Sequence, residues 1–215
     1  MCARFSLTSP IEAIRQIFGF KERPNLPPAY NIAPTNYILA LRINIDDGVA
    51  LSAFQAHWGL IPKWAKDGSV TAKLINARSE TVDQKPSFRE AFSTRRCIIP
   101  ANGFFEWRKD LDGEKQPYYF QASDVSLFVF AGLWEKWTSP NGEQIESCTI
   151  LTEPATEDVA PIHSRKPVTV KVDYIDEWLS GTDRQSIPSI SMQERFTFYP
   201  VHKKVGNVRE NNATY

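Results

Sequence analysis

The chain has 215 residues, 42% of them hydrophobic and 12% aromatic, which is enough apolar material to fill the core of one large domain. Lys plus Arg and Asp plus Glu each total 25, so the formal net charge is zero; a bulk field drawing the protein to nucleic acid or an anionic membrane is excluded, and any polyanion must be met by a local basic patch. No apolar run reaches the roughly 20 residues of a membrane helix, and the first residues lack the charged-then-apolar order of a secretory signal, so a soluble cytoplasmic protein is expected.

In chain order, Ile11, Ile14, Ile17 and Phe18 recur at helical spacing behind Thr8-Ser9-Pro10, which predicts a short amphipathic helix. Pro24, Pro27, Pro28 and Pro34 mark residues 21–35 as a loop. Short β-like runs follow at Tyr37–Ile43, Ala50–Trp58, Arg96–Ile99, Gly103–Trp107, Pro117–Gln121, Leu127–Trp134 and Ser147–Leu151, divided by turn sequences such as Asp46-Asp47-Gly48 and Asp112-Gly113. Helical patterns at Lys85–Phe92, Glu157–Ile162 and Tyr174–Leu179 interrupt them without regular βαβ alternation, so a mainly β member of the α+β class is expected. A single domain is expected over 1–215, with its core at about 2–208 and a disordered tail at 209–215.

Three cysteines, Cys2, Cys97 and Cys148, cannot all pair within one chain, and their spacing fits neither a disulfide framework nor a CxxC zinc site. Cys97 and Cys148 sit in apolar runs and read as inert buried thiols. Cys2 is different. Removal of Met1 would leave a free α-amine beside a thiol, with ordinary pKa values of about 7.7–8.0 and about 8.5, so a useful fraction of each is nucleophilic at neutral pH. Such a 1,2-aminothiol condenses with aldehydes: the amine forms an imine and the sulfur closes onto the imine carbon to give a thiazolidine. The plainer alternative is an incidental second-position cysteine.

Met1-Cys2-Ala3-Arg4-Phe5, Tyr30-Asn31-Ile32-Ala33-Pro34-Thr35, Trp58-Gly59-Leu60-Ile61-Pro62, Asn76-Ala77-Arg78-Ser79-Glu80-Thr81, the run from Pro100 through Asn102-Gly103-Phe104-Phe105-Glu106 to Trp107, and Ile162-His163-Ser164-Arg165-Lys166-Pro167-Val168 together resemble the SRAP family of abasic-site processing proteins. The resemblance runs from residue 2 to about Val208. It implies a β-rich pseudo-barrel of mostly antiparallel strands with short flanking helices, and covalent capture of abasic sites in single-stranded DNA through Cys2. It implies no metal or cofactor, and a monomer is expected.

The resemblance carries over Asn76, Glu106 and His163 as catalytic partners of Cys2. Glu106 lies among Phe104, Phe105 and Trp107, where burial would raise its pKa into a range suited to moving protons; a solvent-facing strand residue is the alternative. His163 could protonate the opening sugar, or serve only as a structural hydrogen-bonding group. The Asn76 amide both donates and accepts, although asparagine is also a common turn residue. Arg4, Arg78 and Arg165 form the expected basic patch for phosphates, with Arg78 on the same face as Asn76 if that stretch is extended. Trp64 and Phe88, and less readily Trp58, are candidates for stacking on bases.

The sequence departs from the family at Ala3, where a glycine is usual, at Ala65, where some members carry a second tryptophan, and at Lys166, which replaces a planar fork or a methionine. Two other functions use the same residues: a cysteine-type peptidase or self-processing hydrolase built on Cys2, His163 and Asn76, and a noncovalent single-strand DNA module.

Overall fold

The computed structural model describes residues 2–44, 50–68, 73–109, 111–181, 183–191 and 196–212. Among them run thirteen strands: β1 (Phe5–Leu7), β2 (Ala29–Ile32), β3 (Tyr37–Ile43), β4 (Leu51–Trp58), β5 (Asn76–Arg78), β6 (Arg96–Ala101), β7 (Gly103–Lys109), β8 (Lys115–Ala122), β9 (Phe128–Thr138), β10 (Gln144–Pro154), β11 (Arg165–Pro167), β12 (Thr169–Val170) and β13 (Phe196–Pro200). Four short α-helices among the described residues flank them: α1 (Ile11–Phe18), α2 (Arg89–Thr94), α3 (Ile175–Gly181) and α4 (Ile187–Ile190).

Five strands close on themselves. β3 pairs with both β4 and β6, β6 with β9, β9 with β10, and β10 returns to β4. The closing β10–β4 contact is parallel, with Ser147 opposite His57 and Cys148 opposite Trp58; the other four are antiparallel. Closure leaves these strands without free edges. It is possible because β9 and β10 are each 11 residues long and can serve different neighbours along their length. β6 runs so near β9 that a Cβ on Gly132 would come within 2.8 Å of the Cys97 sulfur, so only glycine fits there. Cys97 and Cys148 are fully buried, and burial raises both thiols, which suits an inert role. β5 and β11 add to β10, and β12 to β9.

The second sheet runs β13-β8-β7-β1-β2, antiparallel throughout. Its core-facing rings meet the barrel: Phe5 packs edge-on against Trp58 at 5.2 Å and Phe130 at 5.6 Å between centroids. Gly103 starts β7 with the Tyr119 ring and the Phe120 carbonyl lying where a Cβ would be. The missing side chain lets the Tyr119 hydroxyl reach Ser6 Oγ at 2.8 Å, tying β1 to β8 across β7.

Three sequence expectations are corrected. The Pro-rich stretch 21–35 contains β2, because residues 29–33 between Pro28 and Pro34 are free of proline and can pair with β1. Residues 157–162 form turns rather than a helix; bonds spaced by three (Val159 to Thr156, Ile162 to Val159) mix with bonds spaced by four (Ala160 to Thr156, His163 to Val159), and Pro161 has no N–H to carry a regular series through. The tail, expected to be loose from 209, is tied down as far as Asn211: the Asn31 side-chain NH2 donates to the carbonyls of Val205, Asn207 and Glu210, and Asn211 Oδ1 accepts from the Tyr30 amide at 2.6 Å. The Asp46-Asp47-Gly48 turn lies outside the described residues. Among those described, no helix is long and apolar enough to cross a membrane, and no group of three or more His, Cys, Asp or Glu is placed to hold a metal ion.

Candidate active site

The start of the chain is held by both sheets. The Phe105 amide donates to the Arg4 carbonyl at 2.9 Å, extending the β1–β7 register toward residue 2 and alongside Glu106. From the barrel side, Asn76 Nδ2 donates to the Cys2 carbonyl at 2.7 Å. Asn76 can do this because it belongs to a strand, not a turn: β5 lies parallel to β10 with Asn76 opposite Ile150 and Arg78 opposite Thr152. Period-two alternation therefore buries Ala77 and puts Asn76 and Arg78 on the opposite face together. The Asn76 Oδ1 is buried and has no hydrogen-bond partner among the described residues.

Glu106 follows the alternation of β7 inward and is 3% exposed. Burial raises its carboxyl above the ordinary 4.5, while the nearby His163 imidazole pulls the other way. His163 Nδ1 lies 3.8 Å from Glu106 Oε1. The same nitrogen is 3.1 Å from the Arg165 amide and 3.0 Å from the Arg165 carbonyl. One ring nitrogen can accept from the first or donate to the second, not both, so the tautomer decides which bond is made. Glu106 and His163 open onto a cleft of about 630 Å³ that is also lined by Trp107, Lys109, Lys115 and Gly206.

Cys2 is fully buried, and its thiol is pushed far above the ordinary range by burial first and by the Glu106 carboxylate second. Burial thus acts against the appreciable thiolate fraction expected at neutral pH, and chemistry at this sulfur calls for a base. Met1 lies outside the described residues.

The remaining site candidates separate. Arg78 is exposed and its side chain makes no hydrogen bond or ion pair among the described residues. Arg4 is half-buried, its guanidinium donating to the carbonyls of Ala3 at 3.0 Å and Gly206 at 3.2 Å. Arg165 is occupied by Glu80, Nη1 to Oε1 at 2.6 Å and Nη2 to Oε2 at 2.9 Å. Trp64 stands 62% exposed and available to stack, whereas Phe88 is 8% exposed within the core at the start of α2 and cannot serve as a base platform. Trp58 is fully buried with its indole N–H on the Ile75 carbonyl.

The departures from the family pattern also resolve. Ala3 is unstrained, since Thr35 is the one non-glycine with positive φ among the described residues. Ala65 is buried, its carbonyl accepting from the Trp137 indole at 2.8 Å. Lys166 is 1% exposed and paired with Glu153 at 2.8 Å, so its charge is internal and not part of a DNA grip.

Sequence reasoning missed Lys109 and Lys115, which stand opposite each other across the β7–β8 ladder and line the cleft. Like charges in direct cross-strand register repel unless an anion joins them. The hairpin around Asp112-Gly113 was the signal for that register. It also missed Glu80, which lay inside the 76–81 motif.

A family profile described as SOS response associated peptidase (SRAP) matches residues 1–208. Two Bacillus subtilis proteins, both named abasic site processing protein, are similar. YoaM is 41% identical over 221 residues, covering 99% of this chain and 96% of its own. YoqW is 40% identical over 195 residues, covering 88% and 86%. A crystal structure of a Bacteroides thetaiotaomicron protein has the same fold, with a TM-score of 0.85 at 24% identity over 94% of this chain and 93% of its own.

Proposed function

Because the chain belongs to the SRAP family, and its curated relatives are named for abasic sites, we propose that it processes abasic sites in DNA, capturing them covalently in single strands through Cys2 after Met1 is removed. The observation that carries this is the convergence of Asn76 on the Cys2 carbonyl with a buried Glu106 carboxyl near the Cys2 thiol and His163 3.8 Å from that carboxyl.

The amine of residue 2 attacks the aldehyde carbon of the ring-opened sugar, and water leaves to give an imine. The thiol sulfur then bonds to the imine carbon while its proton ends on nitrogen, closing a thiazolidine; one water is lost overall and nothing is oxidised or reduced. Burial raises the pKa of that thiol, so a base must take the proton in transit, and Glu106, whose carboxyl burial also raises, suits the task. His163 is the proton donor for the sugar oxygen as the furanose opens. The unpartnered Asn76 Oδ1 is available to accept from the amine and hold it in register. Arg78, Lys109 and Lys115 supply charge for flanking phosphates and Trp64 a stacking surface. The thiazolidine shields the site, in a monomer acting on cytoplasmic DNA.

A peptidase acting through a Cys2 thiolate fits less well, because burial disfavours the thiolate it needs. The deciding experiment incubates Met1-free protein with single-stranded DNA holding one abasic site and resolves the products on a denaturing gel. Wild type shifts; Cys2→Ala and N-terminally acetylated protein do not. A wild type that never shifts refutes the proposal, and capture that survives acetylation refutes the thiazolidine.

A further inference from the structure

Arg165 borders the proposed chemistry, its backbone amide 3.1 Å from His163 Nδ1, yet its fork is filled. The inner edge is taken by Thr152, whose carbonyl accepts from Nη2 at 2.6 Å and whose hydroxyl accepts from Nε at 3.3 Å. The outer edge is taken by both oxygens of Glu80, from the turn that directly follows β5. The exposure is lopsided: the Arg165 side chain is 14% exposed and that of Glu80 43%, so an anion arriving from solvent meets the carboxylate first. Hydrogen bonding to Arg165 lowers the Glu80 carboxyl to about 2, so the carboxylate is fully charged at any pH near neutrality. A planar carboxylate docked bidentately on guanidinium presents the same geometry as two phosphate oxygens.

We propose that Glu80 is a built-in stand-in for a DNA phosphate, a latch that neutralises Arg165 in the free protein and must be displaced before Arg165 can grip the strand. This rests on the single-strand DNA reading above. The latch lowers affinity for strands in general, since exchanging one anion for another on the same guanidinium releases little net counterion. Once a lesion is bonded to Cys2 its release is no longer set by that affinity, so the latch costs a captured strand less than an intact one.

The test measures reversible binding of the full-length protein to an intact oligothymidylate, which has no aldehyde and cannot crosslink. Glu80→Gln keeps the shape and one acceptor but removes the charge. It should bind about two- to fivefold more tightly, the range of a surface ion pair. Its affinity should also fall more steeply with salt, the log–log slope gaining about 0.7, the value of one phosphate contact on a single strand. Adding Arg165→Gln should remove both gains. Unchanged or weaker binding by Glu80→Gln overturns the latch, as does a gain that persists without Arg165. If the wild type binds no oligothymidylate and captures no abasic strand, the DNA reading falls and the latch with it; if the wild type binds and Glu80→Gln is no tighter, the latch alone falls.

Discussion

Replacing Asn76 by Ala should separate catalysis from stability. The substitution deletes the 2.7 Å bond to the carbonyl of Cys2, a residue with no solvent exposure, so that carbonyl is left without this donor. An orphaned buried acceptor costs about 1–3 kcal/mol. The same side chain carries a buried Oδ1 with no partner among the described residues, and deleting it removes a penalty of the same size and opposite sign. Global stability should therefore change by less than about 1 kcal/mol, a melting shift of a few degrees at most for a chain of this size. The rate should not be spared. Residue 2 lies beyond the last paired position of β1, Phe5, so the lost bond is felt locally, where the amine and thiol must be aimed. If the 1–3 kcal/mol appears in full at that step, adduct formation slows about 5- to 150-fold. The assay is single-turnover crosslinking on a denaturing gel beside thermal unfolding followed by circular dichroism. Capture at the wild-type rate, or a slowed rate explained by a large drop in melting temperature, would refute the argument.

Glu106→Gln should slow ring closure and also stabilise the protein above pH 4.5. The folded-state pKa of Glu106 is raised, so from the ordinary value upward the unfolded chain holds fewer protons than the native one, and the wild type loses stability that the amide retains; the melting difference should grow from pH 4 to 7, and an equal difference at both pH values would count against a buried carboxyl. Replacing Lys109 and Lys115 together by Gln should weaken oligothymidylate binding and reduce its salt slope by about 1.4, with unaltered slope showing that the cleft does not carry phosphate. Trp64→Ala should cost about 1–3 kcal/mol of strand binding and leave melting unchanged, whereas Phe88→Ala should cost about 3–5 kcal/mol of folding stability; a reversal of those two readouts in titration and thermal melts would contradict the assigned exposures.

Where local pattern and tertiary environment agree, the elements were legible. β3 occupies the Tyr37–Ile43 run, and β4 begins one residue later than expected. β5, β11 and β12 were missed because two or three residues contain no period to read, and they exist only because β10 and β9 offer ladder partners. In the site, Asn76 bonds the Cys2 carbonyl and His163 lies by Glu106, but the upward shift of the Cys2 thiol did not follow from residue type: burial sets it. Phe88 and Trp64 have the same kind of side chain and opposite fates, one sealed under α2 and one in solvent.

The amino-acid sequence by itself determined the β-rich class, the helix at Ile11–Phe18 and the family, because those rest on local periodicity and on motifs that residues carry wherever they sit. Only the tertiary structure decided which charges are spent. Lys166 is paired with Glu153 inside, Arg165 is capped by Glu80, and Lys109 faces Lys115 over the cleft. Pairing and desolvation depend on distances between residues far apart in the chain, and they decide whether a cation grips DNA, holds the fold, or is cancelled by its neighbour.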